Sequence, residues 1–199
     1  MGLVNLWNKA RRPVAALSLG CVGETDARSL QEQRLANEHP DWEPALALSD
    51  VELTPRKEVV RKFYKDMWDY ADISLIPELF HEDFTFRGSL GPALVGYQQF
   101  ADYVRWITGT FGEYTSDVLL MSEGDSIVSA RLRFHGFHRK EVFGYPPTGK
   151  HVWWYGVPFF TFEGTRIRDL WVLGDIHGLI GQISGSDPRP TEFRTASAR

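Results

Sequence analysis

The spacing of apolar residues along the chain changes once, and this change separates a helical part from a strand-forming part. Thr54 and Pro55 are typical of a helix start, because threonine is a favoured N-cap and proline suits the first helical position. Apolar residues then recur at helical spacing to about residue 69. Further on, the pattern predicts a short helix over 72–80, a short strand over 81–87 and a helix over 97–110.

After residue 114 the spacing becomes two, as expected for strands with one buried face. Gly- and Pro-containing segments separate these strands. The predicted strands cover 115–122, 126–138, 151–162 and 166–175, and 176–183 is a short helical or extended segment. Helices followed by an antiparallel meander predict an α+β domain, in which a curved sheet wraps around the helices and leaves a conical cavity.

The two ends of the chain lack this periodicity. Residues 1–53 are interpreted as an extension, partly disordered, with a short helix over 31–37 as its one regular element. Alternatively, the extension is an arm that packs on a partner subunit through Trp42 and Leu46. Residues 184–199 are rich in Gly, Pro, Ser and Arg and are predicted to be a disordered tail, so the domain covers 54–183.

The last predicted strand ends in the most informative acid of the chain. Alternation places five residues on one face, which are Ile167, Asp169, Trp171, Leu173 and Asp175. A carboxylate at the end of an apolar stripe costs free energy unless something pairs with it. Asp175 is therefore a candidate for catalysis, with capping of the following helix as the alternative. Asp169 is more simply explained by an ion pair with Arg131 or Arg133 across the sheet.

Composition and charge exclude several classes of protein. An apolar content of 43% is too high for a wholly disordered chain, and a net charge of −4 argues against a nucleic-acid partner. No apolar run reaches the roughly 18 residues of a membrane span. The single cysteine, Cys21, favours a cytoplasmic location. The segment 11–21 matches a signal peptide only weakly, because its apolar part is short.

Histidines do not form a metal site in this pattern. In the strand over 126–138, His138 shares the apolar face with Phe134, whereas His135 points to the other face. Side chains on opposite faces cannot share an ion without a bulge, so no metal is expected. The chain also lacks a supported Ser or Cys nucleophile and a glycine-rich phosphate loop.

Several motifs occur in an order that is typical of one family. They are Val59–Trp68, Leu79–Phe84, Gly136–His138, Phe143–Lys150 with its Pro-Pro-Thr-Gly-Lys run, and Gly164–Trp171 followed by Asp175. Over roughly residues 55–183 the chain resembles the SnoaL-like polyketide cyclases, also called ester cyclases, of the nuclear-transport-factor-2-like superfamily. Arg87 stands where many members have a histidine, and Trp153, Trp154 and Tyr155 are bulkier than usual.

The resemblance implies an α+β cone with a deep pocket, and closure of polyketide rings in secondary metabolism by an intramolecular aldol condensation without a cofactor. It implies that Asp175 is the pocket acid and base, and that His138 is a pocket histidine. Such a lyase or isomerase needs a donor for the enolate oxygen, for which His138, Tyr155 and Arg87 are candidates. A flat substrate would stack on Trp171, Trp153, Phe134 and Phe86.

Three further questions stay open in the sequence. Tyr64, on the first helix, either contacts the substrate or belongs to the core. The strand over 151–162 has aromatic residues on both faces, with Trp154, Phe160 and Phe162 on one and Trp153, Tyr155, Val157 and Phe159 on the other. The outward face is expected to form a homodimer. Alternatives to a cyclase are a non-catalytic binding protein for a hydrophobic small molecule, and an epoxide or ester hydrolase in which Asp175, Arg87 and Tyr155 surround a water.

Overall fold

The structure, a computed structural model, describes residues 30, 34, 35, 38, 39 and 42–186. Contacts divide the chain into two units, Met1–Trp42 and Glu43–Arg199. In the first unit, Arg34 and Glu38 form an ion pair at 2.8 Å and the ring of His39 stacks on Trp42. Most of the helix predicted over 31–37, the segment 11–21 and the tail beyond 186 lie outside the described residues.

The first helix of the second unit begins with a threonine N-cap. The Thr54 hydroxyl accepts a hydrogen bond from the Lys57 N–H and starts helix α1, Pro55–Lys62. α1 continues directly as a π-helix, Phe63–Trp68, so the first predicted helix changes its winding near its middle. Three more helical segments follow, which are a 3₁₀ turn at Ile73–Leu75, α2 at Ile76–Leu79 and α3 at Gly96–Thr110.

The strands form one six-stranded sheet in the order β2-β1-β6-β5-β4-β3. Their bounds are β1 Phe80–Arg87, β2 Ala93–Val95, β3 Phe111–Glu123, β4 Ile127–His138, β5 His151–Glu163 and β6 Arg166–Gly174. Strands β3 to β6 are antiparallel neighbours, which confirms the predicted meander. β1 instead pairs with β6 in parallel, so the sheet is mixed. Helix α4, Ile176–Ser184, follows β6 and ends at Gly185 in the left-handed conformation.

The helices pack on the inner face of this curled sheet through a cluster of aromatic rings. Phe63 in the π-helix lies 5.6 Å from Phe80, 6.2 Å from Phe100 and 5.3 Å from Phe160, measured between ring centroids. All four side chains are fully buried. Helices and sheet thus share one core, and the predicted α+β cone is confirmed.

The orientation predicted for the last strand is wrong. Leu170 and Val172 are buried on the inner face, whereas Trp171 and Leu173 face outward and are partly exposed. The register of β5 against β6 shifts between Thr161 and Phe162, which lets Ile167 be buried as well. A bulge therefore breaks the alternation, and the stripe from Ile167 to Asp175 does not lie on one face.

Candidate functional site

A cavity lies between the π-helix, α3 and the inner face of the sheet. Eight of the side chains in its wall are aromatic, namely Phe63, Tyr64, Trp68, Phe86, Tyr103, Tyr114, Phe134 and Trp154. The remaining wall residues are Gly88, Ser89, Leu90, Ile107 and Val172. A flat apolar molecule would meet ring surfaces on most sides of this cavity.

The cavity is narrow. The cavity has a volume of about 40 Å³, and a cavity needs about 10–15 Å³ to hold one water. The wall positions therefore leave space for a few waters. A ligand with several fused rings would fit only if the wall moved. Among the wall residues, only Gly88, Ser89 and Leu90 lie in a loop rather than in a helix or strand, so this loop is where the wall can move most easily.

Polar atoms in the wall are hydrogen-bond donors rather than charges. They are the hydroxyls of Tyr64, Tyr103, Tyr114 and Ser89 and the indole N–H of Trp68. The Trp68 nitrogen is buried and has no hydrogen-bond partner within the described part of the chain. No Asp, Glu, His, Lys, Arg or Cys is among the wall residues. The site can thus donate hydrogen bonds to an uncharged acceptor.

Burial keeps the three phenols protonated. Desolvation raises the pKa of Tyr64 and of Tyr103 well above the usual value, and the backbone of Leu90 only partly opposes the shift at Tyr103. Desolvation also raises the pKa of Tyr114, and the nearby Asp69 carboxylate adds to this shift. The Ser116 hydroxyl partly opposes it, although its oxygen forms no hydrogen bond of ordinary geometry. All three groups are donors at neutral pH.

Two irregularities of the backbone aim these donors into the cavity. In the π-helix the Asp69 N–H bonds the carbonyl of Tyr64, five residues back, and Tyr64 and Trp68 both reach the wall. In β3 the pairing with β4 shifts between Gly112 and Thr115, and Glu113 has a φ of 57°. This bulge turns Tyr114 inward, because regular alternation from Phe111 would send it outward.

Two glycines leave the space that two aromatic side chains of the cavity wall occupy. A Cβ on Gly156 would lie 2.4 Å from the ring of Phe134, and one on Gly88 would lie 2.4 Å from the Tyr103 hydroxyl. Both contacts are closer than real Cβ atoms allow. Glycine at these two positions therefore admits the aromatic side chains of Phe134 and Tyr103.

Three of the predicted substrate-contact residues line the cavity: Tyr64, Phe86 and Phe134. Four others, Trp171, Tyr155, Trp153 and Arg87, are not in its wall. The Arg87 guanidinium lies 5.2 Å from the ring centroid of Trp171, on the outer face of the sheet. The sequence offered no way to decide which face is inward, because both carry large aromatic residues.

The predicted catalytic pair is not in the wall either. Asp175 is exposed, and its Oδ1 accepts the Gly178 N–H at 2.9 Å, which is the capping arrangement that was the alternative to catalysis. His138 is fully buried, as expected, but its Nδ1 lies 3.1 Å from the Thr148 hydroxyl. Burial lowers the pKa of His138 and so favours the neutral ring.

Asp175 and His138 also lie apart from each other. The Asp175 N–H bonds the carbonyl of Tyr155, and the His138 N–H bonds the carbonyl of Lys150. Five residues of extended chain separate these two carbonyls, which corresponds to about 16 Å. The backbone positions that carry the two side chains are therefore well separated along β5. Their individual roles stay predictions.

The ion pairs predicted for Asp169 are wrong. The Thr85 hydroxyl bonds Asp169, whereas Arg131 pairs with Glu43 at 2.6 Å. Arg133 pairs with Asp117 at 2.6 Å, and Asp117 also lies 3.5 Å from Nε2 of His135. The sequence interpretation overlooked Asp117, which faces Arg133 directly across the β3–β4 pairing. Among the described residues, no cluster of three or more His, Cys, Asp or Glu could hold a metal ion.

Four wall residues that carry a hydrogen-bond donor were not predicted as site residues: Trp68, Ser89, Tyr103 and Tyr114. Tyr103 lies at an apolar position of the third helix, so its burial was foreseeable. Tyr114 left no signal, since it precedes the predicted start of its strand and depends on the bulge. Within 55–184, no helix is long and apolar enough to cross a membrane.

The fold agrees with comparisons to known proteins. The family model of SnoaL-like polyketide cyclases matches residues 58–183, whereas no curated protein sequence matches the chain significantly. A structure from Jannaschia sp. CCS1 that carries the name of a SnoaL-like polyketide cyclase has 18% identity and a TM-score of 0.61. It aligns with 67% of this chain and 97% of its own.

Two Streptomyces structures are similar in the same way. IdmH from Streptomyces antibioticus, named as a polyketide cyclase, has 18% identity, covers 66% of this chain and 99% of its own, and has a TM-score of 0.57. AclR from Streptomyces galilaeus, named as a hydroxylase, has 20% identity, covers 67% and 82%, and has a TM-score of 0.57. Identities this low show a common fold, and the match to the family model over most of the chain shows the family. The chain belongs to the SnoaL-like polyketide cyclase family.

Proposed function

We propose that the protein is a cofactor-independent cyclase or isomerase for a small, flat, uncharged carbonyl compound of the polyketide type. The observation that carries this proposal is a cavity with aromatic walls, protonated phenols and an indole N–H, and no ionised group. The substrate follows from the lining: rings favour a flat apolar body, and donors without a cation favour a neutral oxygen acceptor.

The donors suit the intermediate of an aldol-type reaction. Removing a proton next to a carbonyl places negative charge on its oxygen, and preorganised donors in a site with little water stabilise that charge. The unpaired Trp68 N–H and the phenols of Tyr64, Tyr103 and Tyr114 are such donors. Each would gain more from the enolate than from the ground-state carbonyl, which lowers the barrier.

The base is proposed to act from the edge of the cavity. Asp175 follows Gly174, and a Cβ on Gly174 would lie 2.6 Å from the hydroxyl of Ser89, a wall residue. The Asp175 carboxylate would have to leave the Gly178 N–H to reach a substrate that protrudes past Ser89. In this proposal His138 holds the loop between β4 and β5 through its contact with Thr148, and it does not touch the substrate.

Ligand binding without turnover is the second candidate. It is favoured by the absence of a general base among the wall residues. The hydrolase alternative has no such support, because neither Asp175, Arg87 nor Tyr155 lines the cavity. Binding and catalysis make the same demands on the donors, so the experiment has to measure affinity and proton transfer separately.

We would titrate the protein with 1-indanone and with indane, which share a flat body and differ in the carbonyl. Calorimetry should give tighter binding of the ketone. Trp68→Phe and Tyr114→Phe should each weaken ketone binding by about 3- to 10-fold, in line with one lost hydrogen bond, and leave indane unchanged. Tyr145→Phe, a partly exposed loop position, is the matched control. Equal affinity for both probes would refute the proposed site.

Proton transfer is measured on the same ketone by NMR in D₂O. Catalysed exchange of the protons next to the carbonyl, abolished by Asp175→Asn with binding retained, is the expected result for a cyclase or isomerase. Binding without catalysed exchange would favour the non-catalytic binding protein. Exchange that survives in Asp175→Asn would remove Asp175 from the mechanism.

We further propose a homodimer formed by the outer face of β5 and β6. Four neighbouring apolar side chains are exposed there, with Val157 at 37%, Phe159 at 41%, Trp171 at 37% and Leu173 at 57%. A contiguous apolar surface of this kind is typical of an interface. Trp171→Lys should convert a dimer into a monomer in sedimentation velocity at the same concentration, whereas Leu120→Lys, on the more distant strand β3, should not. A wild-type protein that sediments as a monomer would contradict this proposal.

A further inference from the structure

The chain contains a fully buried carboxylate next to the cavity that the proposed mechanism does not use. Asp69 directly follows Trp68 at the C-terminal end of the π-helix, and its side chain is 0% exposed. The negative end of a helix is an unfavourable place for an acid, and burial without a partner adds to the cost. A site that holds a carboxylate there must stabilise it by specific contacts.

Those contacts connect the helix to strand β3. Oδ1 of Asp69 accepts the backbone N–H of Ser116 at 2.8 Å, and its Oδ2 lies 2.5 Å from Nζ of Lys65. Lys65 in turn donates from Nζ to the backbone carbonyl of Ser116 at 3.0 Å. The two side chains thus bind both backbone groups of one residue in β3 and form a closed set of contacts.

The bound residue follows the bulge of β3. Ser116 lies two residues after Tyr114, and the register shift spans Gly112 to Thr115. On the helix side, Asp69 is covalently next to Trp68. The rings of Trp68 and Tyr114 lie 5.4 Å apart between centroids, and both belong to the cavity wall. The contacts of Asp69 and Lys65 with Ser116, called the clamp below, therefore join the two backbone segments that carry these neighbouring donors.

We propose that Asp69, together with Lys65, is a positioning residue of the site that makes Trp68 and Tyr114 converge on one oxygen of the ligand. The inference rests on the proposed function, in that the ligand offers such an oxygen. An ordinary buried ion pair only stabilises the fold, whereas this pair is proposed to affect ligand binding through the positions of Trp68 and Tyr114. A bulge leaves strand pairing locally incomplete, so the clamp supplies the restraint that the ladder lacks at Tyr114.

Electrostatics act in the same direction. The Asp69 carboxylate helps to keep the Tyr114 phenol protonated, so that it remains a donor to the ligand and to a developing enolate. Lys65 balances the charge of the carboxylate and is itself one-third exposed, so one end of this ion pair lies at the surface and the other is buried.

The test is a double-mutant cycle with 1-indanone and indane as probes. Asp69→Ala should weaken binding of 1-indanone about 10-fold and leave indane within about 2-fold, similar to Tyr114→Phe. Because Asp69 acts through Tyr114, the double variant should bind no more than about 2-fold worse than either single variant. Asp66→Asn is the matched control, since Asp66 lies on the same π-helix but pairs with Arg61.

A conservative variant separates positioning from charge and protects against failure to fold. Asp69→Asn keeps an oxygen that can accept the Ser116 N–H, so ketone affinity should stay within about 3-fold of wild type. Independent losses in Asp69→Ala and Tyr114→Phe that multiply in the double variant would overturn the proposal. So would an equal loss of indane and 1-indanone affinity.

A second measurement needs no ligand. In free protein labelled with ¹³Cζ-tyrosine, Asp69→Ala should shift the Tyr114 resonance and speed amide exchange at Ser116, whereas Asp66→Asn should do neither. An unchanged Tyr114 resonance would refute the positioning role. If the wild type does not prefer the ketone, the proposed function fails, and this measurement still decides whether Asp69 positions Tyr114.

Discussion

The two faces of strands β5 and β6 carry similar residues and behave very differently. On the inner face Trp154 and Phe160 are buried and contact the helices and the cavity, whereas Phe159 and Trp171 on the outer face are partly exposed. Ring contacts occur on both faces, with Phe159 and Trp171 at 6.0 Å. Aromatic content therefore does not identify a binding site. Enclosure by a second layer of structure does.

The sharpest test of this contrast exchanges one ring for a methyl group on each face. Phe160→Ala should lower the free energy of unfolding by about 3–5 kcal/mol, because it removes a fully buried ring and leaves a cavity. Phe159→Ala, its neighbour on the outer face, should cost about 1 kcal/mol or less in the monomer. Urea denaturation measures both. Equal losses would mean that the outer face is as tightly packed as the core.

Strands β3 and β4, next to β5 and β6 in the sheet, carry a buried ionic cluster of Asp117, Arg133 and His135 that should make stability depend on pH. Burial by itself would raise the pKa of Asp117, but hydrogen bonding and charge from His135 and Arg133 prevail and lower it to about 2. A carboxylate whose folded pKa lies below its unfolded value stabilises the fold above the unfolded value, near pH 4. That contribution, about 2 kcal/mol, is lost as the pH falls from about 4 to about 2.

Asp117→Asn should therefore be less stable than wild type at pH 6 and show a weaker loss between pH 4 and pH 2. Asp102→Asn is the control, because its pair with Arg105 is exposed and exposed pairs contribute little. Thermal unfolding followed at a series of pH values gives the comparison. The same acid dependence in Asp117→Asn and wild type would exclude Asp117 as its source.

The smallest expected effect concerns Asp175, which lies between the end of β6 and the start of α4. Asp175→Ala should cost about 1 kcal/mol of stability through loss of the cap on α4, whereas Asp175→Asn should be nearly neutral because Asn caps equally well. Urea denaturation of the two variants measures this difference. A loss in Asp175→Asn as large as in Asp175→Ala would show that the carboxylate charge, rather than the cap, stabilises this end.

The local parts of the fold were predictable because neighbouring residues determine them. Thr54 and Pro55 mark the start of α1, and the period-two pattern marks the meander from β3 to β6. The family resemblance predicted the cone, and it also placed Asp175 and His138 in the pocket. The structure places neither in the cavity wall, since Asp175 caps α4 and His138 contacts Thr148.

Sequence alone determined the order of elements, the α+β class and the family, because periodicity, caps and motifs are properties of adjacent residues. Tertiary structure decided which face of β5 and β6 is inward, since a face is buried only when distant helices cover it. Tertiary structure also decided which side chains line the cavity. The π-helix turns Tyr64 and Trp68 toward the cavity, the bulge turns Tyr114 toward it, and Asp69 joins the two segments through Ser116. The contact between Asp69 and Ser116 is not encoded by local spacing, because it joins residues 47 positions apart in the sequence.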